Sequence, residues 1–152
     1  MQKPLFSLLL STLPLFSFPL SSCVQDVPPG EIPSVVRNAF QAQFPQATDV
    51  SWERHDRLYE VEFDLTAAEH ELWLDAHGQL VKHTEELTYE QLPEAIQQTV
   101  RRDFGTYRVE DAERITVPQA VTYLLELEGT ESERHVVLNE AGKLLKDQPE
   151  TE

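Results

Sequence analysis

The sequence predicts an α+β fold: a tandem repeat of one helix plus a three- to four-stranded antiparallel sheet, with the helices on one sheet face. Three observations lead there. Apolar residues recur at helical spacing twice, from Ile32 to Phe44 and from Leu92 to Phe104. After the first stretch, Tyr59, Val61, Phe63 and Leu65 alternate with Glu60, Glu62 and Asp64, and after the second Tyr123, Leu125 and Leu127 interleave with Leu124, Glu126 and Glu128. That period of two marks half-buried strands. Both runs then lead into an apolar–turn–apolar segment, Leu72 to Leu80 and Val136 to Leu144, each with a turn glycine, Gly78 and Gly142. Agreement in helix face, strand phase and turn glycine points to an internal duplication.

The chain opens with Lys3, its only charge before Asp26, and an apolar stretch from Leu5 to Leu20 interrupted by Pro14 and Pro19. A short basic start, an apolar middle too short to span a bilayer comfortably and small residues at the end read as a secretory signal peptide over 1–22. Leu20-Ser21-Ser22-Cys23 resembles a bacterial lipobox, which makes Cys23 the expected lipidation site. The expectation is an exported, membrane-anchored lipoprotein facing the periplasm or the cell surface, held by acyl chains rather than by its own surface. Residues 23–31, with Pro28, Pro29 and Gly30, read as a tether.

The first helix carries Ile32, Val35, Val36, Ala39, Phe40 and Phe44 on its apolar face, with Pro33 in the entry turn and Pro45 as its stop. The second carries Leu92, Ala95, Ile96, Thr99, Val100 and Phe104, with Pro93 at the start, Gly105 at the end, and Thr88 and Gln91 spaced for a capping box. The expected units are therefore a first repeat over 32–83, a linker over 84–91, a second repeat over 92–146 and a tail over 147–152. The apolar strand faces pack under the helices. The opposite sheet face, with Glu60, Glu62, Asp64, Glu71 and Glu128, meets water or a partner.

Composition narrows the function. With 12 basic and 27 acidic side chains the 152-residue chain has a net charge of −15, which argues against nucleic acid and anionic membrane surfaces as partners. One cysteine excludes an internal disulfide framework and a multi-cysteine metal site.

Several segments resemble the PepSY-like family of secreted bacterial proteins, also described as β-lactamase-inhibitor-like. They are Phe44-Pro45-x-Ala47, Val50-x-Trp52, Tyr59-x-Val61-x-Phe63, Leu74-Asp75-x-x-Gly78 and the Leu92-Pro93 opening. The likeness runs from about Ile32 to Leu145. The second copy departs from the pattern where Gly105 follows Phe104 and where Arg114 stands near the place of Trp52. The resemblance implies an envelope location and a binding or inhibitory role, and it supplies no catalytic residues.

Nothing in the residues marks an enzyme. Ser34, Ser51 and Ser132 sit in no nucleophile elbow. His55, His70, His77, His83 and His135 have no zinc-site spacing and read as surface histidines, with His83 on a solvated edge. No catalytic residue, cofactor or metal is expected. The expected site is the outer sheet face, with Trp73, Glu60, Glu62, Asp64 and Glu71 meeting a protein or peptide that has a basic surface. Trp73 alternates outward between Glu71 and Asp75 and would serve as the anchor, whereas Trp52 reads as core. The alternatives are a small-ligand or cation-binding periplasmic carrier and a structural envelope component.

Overall fold

A computed structural model describes residues 24–130 and 132–149. The expected signal peptide, Cys23 and residues 150–152 of the expected tail lie outside them. Helix α1 spans Ser34–Gln43 and helix α2 spans Glu94–Asp103. Pro33 and Pro93 stand at the N-cap positions, where the first turn needs no backbone N–H from them. Phe44 and Phe104 close the helices, their N–H groups donating to the carbonyls of Phe40 and Val100 at 2.9 Å. The Thr88–Gln91 pair forms as expected around the 3-10 turn Tyr89–Gln91, with the Thr88 N–H donating to Gln91 Oε1 at 2.7 Å.

The strands are β1 (Val24–Asp26), β2 (Thr48–His55), β3 (Leu58–Leu65), β4 (Ala68–Asp75), β5 (Leu80–Glu86), β6 (Arg108–Val117), β7 (Ala120–Glu128), β8 (Glu133–Asn139) and β9 (Leu144–Pro149). They form one nine-stranded antiparallel sheet in strict chain order. This overturns the expected fold of two helix units, each with its own three- to four-stranded sheet. Strand β5 pairs with β6 through His83↔Thr116, Thr84↔Ile115, Glu85↔Arg114 and Glu86↔Glu113. The physical reason is the sheet edge: two small sheets would each leave a row of unpaired N–H and C=O groups at the junction, and joining them satisfies both rows. Consequently Thr84–Glu86, read as linker, is strand, and Val24–Asp26, read as tether, pairs with β2.

Both helices cover the same face. Val36 and Phe40 of α1 pack with Ile32 on Trp52, Val61, Phe63, Leu72 and Leu74. Ile96 and Val100 of α2 pack with Leu92 and Phe104 on Tyr123, Leu125, Leu127, Val136 and Leu138. Trp52 is core as expected, 5% exposed and edge-on to Phe40 at 5.4 Å. Arg114 does not take an equivalent place; the buried residue of β6 is Ala112, opposite Leu125 as Trp52 is opposite Val61. Thr99 donates to the Gly142 carbonyl at 2.8 Å, so the one polar group on the α2 inner face is satisfied. Gly142, at φ +72°, presses its turn against α2 so closely that a Cβ would overlap the Ala95 carbonyl.

Between the two cores the helix face turns polar. The register Phe63↔His70↔Glu85↔Arg114↔Tyr123 runs across five strands, and its middle three members are titratable or charged. Arg114 pairs with Glu85 there. His70 Nδ1 lies 3.1 Å from His83 Nε2, and the His70 ring stacks on Phe63 at 5.0 Å. The surface reading of these two histidines is therefore corrected: His70 is 7% exposed and His83 is half-buried. Burial lowers the pKa of both, that of His83 to about 4.

Candidate functional site

The face away from the helices is built by strand alternation. With Val61 and Phe63 directed to the core, Glu60, Glu62 and Asp64 of β3 must face outward, and register then sets what stands beside them. Glu60 is opposite Glu53, Glu62 opposite Glu71, and Asp64 opposite Glu69. At the joined edge Glu86 is opposite Glu113. Like charges directly across a ladder are destabilising, and two of the four pairs are partly offset, Glu53 and Glu60 by His55 and Glu71 by Lys82.

These strands enclose a cleft of about 530 Å³. Eight of its lining residues are carboxylates, namely Asp49, Glu62, Asp64, Glu69, Glu71, Glu86, Asp111 and Glu113, and no lysine or arginine is among them. Two irregularities shape its rim. A bulge between Thr48 and Ser51 holds Asp49 at φ +51°, and another lies between Val109 and Asp111. Bulges bend the strand and re-aim side chains, and Asp tolerates the left-handed region better than most residues. The charges feel one another across the cleft. Burial raises the Glu113 carboxyl above its ordinary value, and Asp111 on its own strand and Glu71 on β4 raise it further.

The predicted residues divide. Glu62, Asp64 and Glu71 line the cleft, with Glu71 also paired to Lys82 at 2.6 Å. Glu60 and Trp73 belong to an adjoining cluster at the β2–β3 hairpin. Glu60 is 9% exposed and accepts from His55 Nε2 at 2.6 Å, and Glu53 lies 3.2 Å from the same nitrogen. Burial raises the Glu60 carboxyl, the neighbouring Glu71 adds to this, and the His55 hydrogen bond opposes both. Trp73 is not a free anchor. Its indole N–H donates to Glu71, the His55 ring lies 4.7 Å from it, and the Lys82 ammonium sits 5.5 Å over its ring. Glu128 is held by Arg108 at the end of β7 and does not line the cleft.

The family model for β-lactamase-inhibitor-like, PepSY-like proteins matches residues 21–82 and, again, 64–146. The chain belongs to the PepSY-like family. No curated protein matches it significantly. Among solved structures, this PepSY-like chain is similar to a BLIP-like protein from Bacteroides fragilis, with a TM-score of 0.70, 22% identity and coverage of 83% of this chain and 89% of the other. A DUF2874 family protein from Bacteroides ovatus gives a TM-score of 0.68 at 20% identity, covering 82% and 89%. A candidate periplasmic protein from Bacteroides eggerthii gives 0.68 at 16%, covering 77% and 88%. At such identities the likeness is one of fold.

Sequence reasoning missed Asp49, Glu69, Glu86, Asp111 and Glu113 as members of the PepSY-like protein's cleft. Alternation signals that Glu86 and Glu113 share a face with some neighbour. Only the β5–β6 pairing says which.

Proposed function

We propose that this PepSY-like chain is a non-enzymatic envelope protein that binds, and by occupancy inhibits, a protein or peptide through its acidic cleft. The observation that carries this reading is the set of acid-on-acid cross-strand pairs, Glu62↔Glu71, Asp64↔Glu69 and Glu86↔Glu113, around a cleft lined by no lysine or arginine. Their mutual repulsion is relieved when lysine or arginine side chains of a partner enter, so a basic surface is the complementary occupant. The BLIP-like description of one structural neighbour agrees with an inhibitory role. A carrier that holds its ligand between helices and sheet finds less support, because Phe40, Phe44, Trp52 and Phe63 fill that space edge to face or tilted, with ring centroids 4.7–5.9 Å apart.

Among the described residues no helix is long and apolar enough to cross a membrane. Anchoring is proposed to come from lipid on Cys23 after removal of 1–22, which places the cleft in the periplasm or at the cell surface. Metabolic labelling with palmitate tests this part, and a Cys23→Ala variant that still incorporates label overturns it.

The cleft is tested with a synthetic lysine- and arginine-rich peptide titrated against the full chain at two salt concentrations. Wild type is expected to bind, more weakly at the higher salt because its charges are screened. Glu62→Gln with Glu113→Gln is expected to weaken binding by about tenfold, two charge contacts each worth roughly 0.7 kcal/mol. Equal binding by this variant and wild type, or none by either, rejects the cleft as the site.

A further inference from the structure

The cluster beside the cleft has its own chemistry. We infer that Glu53, His55 and Glu60 form a binding site for a divalent transition-metal ion, Zn²⁺ being the type case. One imidazole nitrogen and two carboxylate oxygens, one from each residue, lie within 4.8 Å of one another. His55 Nε2 is 2.6 Å from Glu60 Oε2 and 3.2 Å from Glu53 Oε2. Ligands about 2.0–2.2 Å from a tetrahedral zinc stand about 3.4 Å from one another, so the His55–Glu53 spacing is already close and the His55–Glu60 contact opens by somewhat under about 1 Å to admit the ion.

The ligands sit on strands, not on a loop. Glu53 and His55 share the outer face of β2 two residues apart, and Glu60 is fixed opposite Glu53 by the β2–β3 register. Trp73 packs on the imidazole with ring centroids 4.7 Å apart and limits its rotation. The two carboxylates stand opposite one another across the ladder, and a divalent cation between them cancels their charge. A nitrogen ligand and only three protein donors suit zinc better than Ca²⁺ or Mg²⁺, which call for oxygen-rich shells. The fourth position is left open to water or to a side chain of a partner seated on the same face. The cation site stands whether or not the cleft binds a basic peptide.

The test is calorimetric titration of the full chain with Zn²⁺, Ca²⁺ and Mg²⁺, with ¹⁵N shifts of the histidine rings followed in parallel. Expected are one saturable Zn²⁺ site, retained in excess Mg²⁺, and a shift of the His55 ring nitrogens. Affinity falls by at least about tenfold in His55→Gln and Glu60→Gln, the loss that even an outer-shell change can bring. The cleft variant Glu62→Gln, Glu113→Gln keeps the site. Absence of saturable Zn²⁺ binding, shifts confined to His77 or His135, or undiminished binding in His55→Gln overturns the inference. The ring shifts are read on wild type, so the result stands even if a variant fails to fold.

Discussion

At the scale of single residues, burial of the His70–His83 pair makes stability depend on pH. Burial is the main reason that His83 titrates at about 4, the nearby His70 and Arg114 push the same way, and Glu85 opposes them. A histidine whose folded-state pKa is depressed leaves the unfolded chain to bind the extra proton. Stability associated with His83 is therefore full above its ordinary pKa of 6.5, declines as pH falls toward 4, and changes no further below that. The span is at most roughly 3–4 kcal/mol, from the size of the shift. Urea unfolding at pH 7.5, 6, 5 and 4 on wild type and His83→Phe checks it. The carboxylates contribute equally to both chains, so the wild-type curve is expected to fall more steeply than the variant's between pH 6.5 and 4. Parallel curves would show that His83 does not carry the effect. The same residues explain a misreading: a histidine five places past a turn glycine looks solvated in one dimension, but Phe44 at 5.3 Å and His70 cover it in three.

At the scale of elements, turn chemistry was largely legible. Asp75 and Asn139 stand three residues ahead of the turn glycines Gly78 and Gly142, a spacing that suits hairpin turns. In the structure Asp75 Oδ1 accepts from His77 and Gln79 N–H at 2.8 and 2.9 Å, and Asn139 Oδ1 from Ala141 and Lys143 at 3.1 and 3.0 Å. The β3–β4 hairpin was not legible, because its two turn residues, Thr66 and Ala67, are poor formers of the backbone they adopt, φ +55° and +64°. Two successive positive φ values are what a two-residue hairpin loop needs, and Asn-Gly supplies them with less strain. Thr66→Asn with Ala67→Gly is expected to stabilise the protein by about 1–2 kcal/mol. The rise should appear as a higher urea midpoint at unchanged slope; an unchanged or lower midpoint would mean that the strand pairing, not the loop, absorbs the strain.

At the scale of the whole molecule, the β5–β6 ladder makes one body of two apolar clusters separated by a polar seam. Trp52 reports on the first cluster and far-UV circular dichroism on the whole sheet. Both are expected to give one coincident thermal transition, because opening either half exposes the ladder edge of the other. A tryptophan transition well below the dichroism midpoint would show that the halves unfold separately. Local spacing and alternation were enough to place both helices, the alternating strands, the core role of Trp52, the acidic face and the PepSY-like resemblance, because those features depend on neighbours along the chain. Tertiary structure alone decided that the strands form a single sheet, that Glu86 meets Glu113, that His55 lies between Glu53 and Glu60 under Trp73, and that His70 and His83 are covered. Each of these depends on which strand lies beside which and in what register, and period-two alternation specifies a strand's face but never its neighbour.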